Sequence, residues 1–98
     1  MTDNKQIQLE DNALLLDVRT AELYAQGHIE GSKSIPLEDL AAADLPEDKD
    51  QPIYVHCRLG IKSQEAKALL EEKGYTKVVD LGSIDNLTAQ GFDYIEDK

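Results

Sequence analysis

The sequence predicts an α/β domain with a mostly parallel central sheet flanked by helices. Short apolar runs of strand length alternate along the chain with segments of helical periodicity, and polar or glycine-containing loops separate them. Alternation of this kind is typical of parallel strands connected by helices that pack on the sheet. Because 98 residues suit one domain and no long linker divides them, we expect a single domain over residues 1–98, with its core at about residues 5–95.

The first half of the chain begins with a buried strand and a short helix. The run ALLLDV at residues 13–18 is almost continuously apolar, which predicts a strand covered on both faces. Thr20 suits the N-cap of a helix, and Gly27 lies where that helix would end. Residues 34–35 are predicted as a short strand, and Pro36 as the first residue of a helix that reaches about residue 40.

The second half continues the alternation after a polar, proline-bounded loop at residues 45–52. Residues 53–56 predict the next strand. The clearest helix covers residues 63–73, because its apolar residues share one face and Gly74 follows as a stop signal. A strand, a helix and an edge strand are then predicted at residues 77–81, 83–90 and 94–95, with one more edge strand at residues 7–9.

The acidic composition excludes several classes of partner. Twenty Asp and Glu residues against ten Lys and Arg give a net charge of −10, whereas nucleic acids and anionic membranes require cationic patches. No apolar run approaches the roughly 20 residues that cross a bilayer. The N-terminal residues lack the basic and apolar regions of an export signal. A single cysteine without such a signal predicts a reducing, cytoplasmic environment, although a mature protein that had lost its signal would look the same.

The only cysteine, Cys57, lies between the strand at residues 53–56 and the helix that begins at Ser63. A strand-loop-helix junction directs several backbone N–H groups and a helix N-terminus toward one point, which favours anions. A thiol at that point should ionise readily, and the thiolate is the nucleophilic form. Arg58 and Lys62 add positive charge. The pattern therefore predicts a reactive cysteine in an anion-binding loop, compatible with phosphate, arsenate or sulfur chemistry.

Four segments in order resemble the rhodanese family of sulfurtransferases in its small single-domain form. They are residues 14–40, which include DVR and GHI, residues 53–75 with the cysteine loop, and residues 78–81 and 81–87. The resemblance implies a three-layer rhodanese-like domain. Two positions depart from the family pattern. Leu87 stands where an aromatic residue is common, and Lys62 where arginine is frequent. Because lysine lacks the planar fork of arginine, we expect modest thiosulfate affinity.

The resemblance also implies a reaction of the thiosulfate sulfurtransferase type in two steps. Cys57 would take sulfane sulfur from thiosulfate or a similar small anionic donor and carry it as a persulfide. Cyanide or a thiol would then accept the sulfur. Backbone amides and cationic side chains of the loop would hold donor and sulfur: Arg58, Leu59, Gly60, Ile61, Lys62 and Ser63. A partner sulfur-carrier protein remains an open alternative, and we expect a monomer.

Several residues outside the loop are expected to support it. Asp17 and Arg19 are predicted to form an ion pair or loop clamp near the active site, and His28 to fix a turn. His56 precedes the nucleophile, but adjacent strand residues point to opposite faces, so a supporting hydrogen bond is expected rather than a catalytic base. No acidic, His or Cys cluster has metal-ligand spacing and no glycine motif suits a nucleotide, so neither metal nor cofactor is expected.

Two other functions remain as alternatives. The domain could be a sulfur-relay or binding module without turnover. A cysteine phosphatase or arsenate reductase is less favoured, because Cys-x5-Arg would place arginine at position 63, where this chain has Ser63. If Lys62 closed the loop instead, the loop would be one residue too short to surround a tetrahedral phosphate.

Overall fold

Parallel strands form the centre of the fold. The computed structural model describes residues 9–96. Along the chain its elements are β1 (Leu14–Asp17), α1 (Ala21–Gln26), β2 (Gly27–Ile29), β3 (Lys33–Ser34), a 3₁₀ helix (Leu37–Ala42), β4 (Ile53–Cys57), α2 (Lys62–Glu72), β5 (Val78–Ser83), α3 (Ile84–Ala89) and β6 (Tyr94–Glu96).

The main sheet has the strand order β3-β1-β4-β5, and every pairing in it is parallel. Strand β1 lies in register with β4, so that Asp17 pairs with His56. A second, antiparallel pair joins β2 to β6. The α/β class with a mostly parallel sheet is therefore confirmed, and the buried runs in β1 and β4 are those of its two central strands.

Two apolar clusters cover the two faces of the main sheet, which makes three layers. On one face, α2 and the 3₁₀ helix pack through Ala66, Leu70 and Leu40, all fully buried. On the other, Leu87 of α3 packs with Ile29 and with residues of β1 and β4. Strand residues alternate between these clusters, as the pleat of a strand requires.

Local capping explains where α1 and α3 begin. Thr20 Oγ1 accepts a hydrogen bond from Leu23 N at 3.3 Å at the start of α1, and Ser83 Oγ accepts one from Asn86 N at 3.2 Å at the start of α3. Each pair satisfies one of the backbone donors that a helix N-terminus leaves free. The predicted N-cap at Thr20 is thus confirmed, and so is Gly74 as the stop after α2, where it has a φ of +101°.

Three local predictions differ from the structure. Gly27 ends α1 as expected but also begins β2, a three-residue strand that local patterning does not reveal. The helix predicted from Pro36 is a 3₁₀ helix that begins one residue later, with Pro36 as its N-cap. Of the edge strand predicted at residues 7–9, residues 7 and 8 lie outside the described range, and Leu9 is not in a strand. Within residues 9–96 no helix is long and apolar enough to cross a membrane.

Candidate active site

Cys57 is the last residue of β4, at the carboxyl end of the main sheet. Its side chain is almost completely buried, with 2% of its surface exposed. A register irregularity between Val55 and Cys57 marks the point where β4 leaves regular pairing with β5. After Cys57 the chain turns sharply through Gly60, whose φ of +89° lies in a region that strains residues with a Cβ atom, and then enters α2. The loop therefore returns over the sulfur.

Two backbone amides donate to Cys57 Sγ, Gly60 N at 3.0 Å and Ser63 N at 3.3 Å. Two N–H donors aimed at one sulfur complement negative charge on it. The sequence predicts that six loop amides, those of residues 58–63, converge on the sulfur. In the described part of the chain no hydrogen bond joins Sγ to the amides of residues 58, 59, 61 or 62. Fewer amides therefore contact the sulfur than the sequence predicts.

The sulfur lies at a cavity of about 330 Å³ that two segments enclose. Besides Cys57, the cysteine loop contributes Arg58, Leu59, Ile61 and Lys62. The segment at the start of α1 contributes Arg19, Thr20 and Leu23. The structure therefore brings both predicted loop cations to the cysteine. Neither Arg58 nor Lys62 forms an ion pair with another described residue, so both charges are free for an anion.

The rim of this cavity is apolar as well as cationic. Leu59 is 71% exposed and Ile61 is 63% exposed, the largest values among the exposed large hydrophobic side chains of the described residues. Gly60 and Ser63 contribute their amides, as described, and Ser63 Oγ is buried without a hydrogen-bond partner in the described structure.

The expected ion pair between Asp17 and Arg19 is present and buried. Arg19 Nη2 lies 2.6 Å from Asp17 Oδ2, and Arg19 Nε donates to the same carboxylate at 2.9 Å. Arg19 Nη2 also donates to the carbonyl oxygen of Gly27 at 2.7 Å. The guanidinium is thereby fixed between β1 and β2, and its remaining surface lines the cavity of Cys57.

This pairing sets the charge states of both groups. Burial by itself would raise the pKa of the Asp17 carboxyl, but contacts with His56 and Arg19 outweigh burial and lower the pKa from 3.8 to about 2. Burial acts to lower the pKa of Arg19, and the contact with Asp17 outweighs it, so that pKa is raised. Both groups are charged at neutral pH.

His56 is fully buried beside this pair, but the hydrogen bond predicted for it is not formed. Its Nε2 lies 3.6 Å from Asp17 Oδ2, which is longer than a hydrogen bond. Neither ring nitrogen has a hydrogen-bond partner in the described part of the chain. Its contacts agree with the expectation that it points away from Cys57. Cys57 packs in the apolar cluster that contains residues of α2, whereas His56 faces Asp17.

His28 lies apart from the sulfur and does not line its cavity. Its Nδ1 is 3.0 Å from the carbonyl oxygen of Tyr24, and its ring stacks on that of Tyr24 with centroids 3.9 Å apart. These contacts hold the end of α1 against β2. Residues 9–96 contain no group of three or more His, Cys, Asp or Glu side chains that could hold a metal ion.

Thr20 and Leu23 are cavity residues that sequence reasoning did not identify. The sequence does contain a signal for their position. Helix α1 follows β1 directly, and ligands bind at the carboxyl ends of parallel strands. Thr20 was recognised only as a helix cap. Its second role depends on how close α1 comes to the cysteine loop, which local sequence does not specify.

Known proteins are similar to this chain in sequence and fold. The model of the Rhodanese-like domain family matches residues 2–90. Thiosulfate sulfurtransferase PspE of Escherichia coli (strain K12) is 36% identical over 74 residues, covering 74% of this chain and 71% of that protein. Thiosulfate sulfurtransferase GlpE of Stutzerimonas stutzeri (strain A1501) is 34% identical over 88 residues, covering 83% and 81%.

Solved structures agree with the sequence relatives. A rhodanese with anions from E. coli superposes with a TM-score of 0.77 at 31% identity, covering 86% of this chain and 98% of that one. The human single-domain sulfurtransferase TSTD1, at 24% identity and a TM-score of 0.71, shares the fold. The match over most of the sequence, with relatives above 30% identity, shows that the chain belongs to the rhodanese-like family.

Proposed function

We propose that this protein is a sulfurtransferase that moves sulfane sulfur from thiosulfate or a similar donor to cyanide or a thiol through a persulfide on Cys57. The observation that carries the proposal is the position of Sγ, which accepts two backbone N–H bonds at a cavity lined by the cations Arg58 and Lys62, neither of which forms an ion pair within residues 9–96. The names of the relatives PspE and GlpE, both thiosulfate sulfurtransferases, support the same reaction class.

The first step needs an ionised thiol and a bound anion. Arg58 and Lys62 attract the donor to a surface that is otherwise acidic. The Cys57 thiolate attacks the outer sulfur of thiosulfate, the bond between the two sulfur atoms of the donor breaks, and sulfite leaves with that electron pair. The product is the Cys57 persulfide anion, which retains the negative charge that the amides of Gly60 and Ser63 complement.

The second step returns the enzyme to its starting state. A nucleophilic acceptor attacks the outer sulfur of the persulfide, the sulfur–sulfur bond breaks, and its electrons return to Cys57 Sγ. Splitting the transfer in this way replaces one difficult reaction by two easier ones. The two steps balance without a cofactor, and residues of one chain line the cavity, so we propose that the monomer is active. We also propose the cytoplasm as its compartment, since a reducing environment maintains a free thiol.

Mass spectrometry of the intact protein after treatment with thiosulfate tests the first step. Wild type should gain one sulfur atom, and Cys57→Ser should gain none. Cyanide added afterwards should remove the sulfur as thiocyanate. Equal labelling of Cys57→Ser would show that sulfur binds to another residue and would refute the mechanism.

The exposed apolar rim favours one further candidate, a sulfur-relay module. Leu59 and Ile61 expose apolar surface beside the sulfur that a partner protein could cover. The two functions differ in the second step. Rapid loading of Cys57 followed by slow release to every small acceptor would favour the relay, whereas steady turnover with a small acceptor favours the enzyme.

A further inference from the structure

Ser63 carries a hydroxyl group that the fold buries without pairing. Its side chain is 0% exposed, and Oγ has no hydrogen-bond partner within residues 9–96. A buried hydroxyl without a partner loses its hydration and gains no bond in return, which lowers the free energy of unfolding. Alanine at this position would avoid that loss. The position of the hydroxyl beside Cys57 points to a second state of the site in which Oγ has a partner.

The usual structural roles of a serine in the first turn of a helix do not account for this hydroxyl. A capping hydroxyl accepts a hydrogen bond from a backbone amide of the first turn. A hydroxyl inside a helix can instead donate to the carbonyl oxygen four residues earlier, which for Ser63 is that of Leu59. Among the described residues Oγ of Ser63 forms neither bond. The start of α2 therefore does not depend on this side chain.

Ser63 lies on the side of α2 that packs against Cys57. The buried residues of α2 are Ser63, Ala66 and Leu70, and Cys57 belongs to the same apolar cluster as Ala66 and Leu70. The backbone N of Ser63 already donates to Cys57 Sγ at 3.3 Å. Only Cα and Cβ separate Oγ from that nitrogen, so rotation between the staggered positions of χ1 moves Oγ on a short arc close to the sulfur.

We infer that Ser63 Oγ is a catalytic hydrogen-bond donor, which binds Cys57 Sγ when negative charge returns to that sulfur at the end of each cycle. The inference rests on the proposed sulfurtransferase function and deepens its second step. In the persulfide the charge lies on the outer sulfur, and Sγ is a neutral bridging atom. When the acceptor removes the outer sulfur, Sγ becomes a thiolate. The hydroxyl then adds a third donor to the amides of Gly60 and Ser63.

The step balances with Ser63 acting only as a hydrogen-bond donor. Cyanide attacks the outer sulfur of the protonated persulfide and forms a carbon–sulfur bond. The bond from that sulfur to Cys57 Sγ breaks, its electron pair stays on Sγ, and the proton of the outer sulfur passes to water. The products are thiocyanate and the Cys57 thiolate. Ser63 keeps its proton, and no oxidant or reductant is consumed.

A hydroxyl on Sγ affects the two steps in opposite directions. It makes Cys57 a better leaving group when the persulfide is unloaded, and a weaker nucleophile when the thiolate attacks thiosulfate. A hydrogen bond to a charged group stabilises that group about tenfold or more, and only part of the charge is present in a transition state. Loss of the hydroxyl should therefore slow unloading about fivefold and leave loading as fast as in wild type or faster.

Single-turnover kinetics separate the two steps. Loading by thiosulfate and unloading by cyanide are each followed by mass spectrometry of quenched samples, at a pH at which the loading rate no longer rises. Ser63→Ala should show the slower unloading, and Ser63→Thr, which keeps the hydroxyl, should unload like wild type. Equal slowing of both steps in Ser63→Ala, or unchanged unloading, would overturn the assignment.

Ser32→Ala is the matched control. Ser32 is also buried, but its Oγ donates to the carbonyl oxygen of Ile29 at 2.7 Å, and it does not line the cavity of Cys57. Ser32→Ala should lower the urea midpoint of unfolding and leave both steps at wild-type rates. Ser63→Ala should leave the midpoint unchanged or raise it, because it removes a hydroxyl without a partner. A lower midpoint in Ser63→Ala together with normal unloading would make the hydroxyl structural and reject the inference.

Alkylation by iodoacetamide examines the hydrogen bond without sulfur transfer. On the plateau of the pH–rate profile, Ser63→Ala should react about threefold faster than wild type, since a thiolate without this bond is more nucleophilic. Ser63→Thr should react like wild type. Faster alkylation of Ser63→Ala, in a protein that thiosulfate never loads, would retain the hydroxyl bond and reject the sulfurtransferase. Normal loading with equal alkylation rates would retain the sulfurtransferase and reject the role of Ser63.

Discussion

Replacing Asp17 by asparagine should reveal how strongly the buried ion pair stabilises the wall of the site. Asparagine has nearly the same shape, so the change removes the charge without opening a cavity. Asp17 is fully buried and Arg19 is 6% exposed, so the variant leaves a buried guanidinium without its carboxylate. An unpaired buried charge lowers the free energy of unfolding, because little water reaches it.

The magnitude follows from the pKa of Asp17, which is lowered from 3.8 to about 2 in the folded protein. At 1.36 kcal/mol per pKa unit, ionisation of Asp17 contributes about 2 kcal/mol to the free energy of unfolding at neutral pH. Because the folded pKa is the lower one, this contribution is complete well above pH 3.8 and is lost as the pH falls toward 2. About half of it should remain at pH 3.

Urea unfolding of wild type and Asp17→Asn at pH 7, 5 and 3 provides the assay. We expect the variant to be less stable by at least about 2 kcal/mol at pH 7, with a difference that shrinks as the pH approaches 3. Asp39→Asn, which changes an exposed aspartate of the 3₁₀ helix, should show no comparable loss. A difference that is the same at pH 7 and pH 3 would refute the reasoning, since the loss would then not come from the ionised carboxylate.

Two further variants examine the cysteine loop. Lys62→Ala removes one of the two free cations and should raise KM for thiosulfate several-fold with little change in the unfolding midpoint; unchanged thiosulfate kinetics would exclude Lys62 from donor binding. Gly60 has a φ of +89° and Gly31 a φ of +86°. Gly60→Ala and Gly31→Ala each place a Cβ atom in this strained conformation, and each should lower the free energy of unfolding by about 1 to 2 kcal/mol. Only Gly60→Ala should also slow sulfur loading in a stopped-flow experiment, because Gly60, unlike Gly31, donates to Sγ. Equal slowing in both variants would attribute the effect to general strain.

Local sequence predicts the parts of this molecule that local interactions determine. The cap at Thr20, the strand that ends at Cys57 and the stop at Gly74 each depend on a few neighbouring residues, and each is present. The pair of Asp17 and Arg19 was also predictable, since residues two apart at a strand end lie on the same side.

Features made by distant segments were not predictable in the same way. Strand β2 exists because Gly27–Ile29 pairs with Tyr94–Glu96 far along the chain. A run of three residues is too short to show the periodicity of a strand. The cavity of Cys57 depends on α1 coming near the cysteine loop. The number of amides on Sγ depends on the turn at Gly60, whose path residue types alone leave open. In each case tertiary packing decides.

The antiparallel pairing of β2 with β6 has a consequence for the order of folding. Cys57 and its two amide donors lie within seven consecutive residues, from Cys57 to Ser63, so they can come together early. Ile29 and Tyr94 must close a much longer loop before they meet, and contacts of large sequence separation form slowly. We therefore expect the local contacts of the cysteine loop to form earlier in folding than the pairing of β2 with β6.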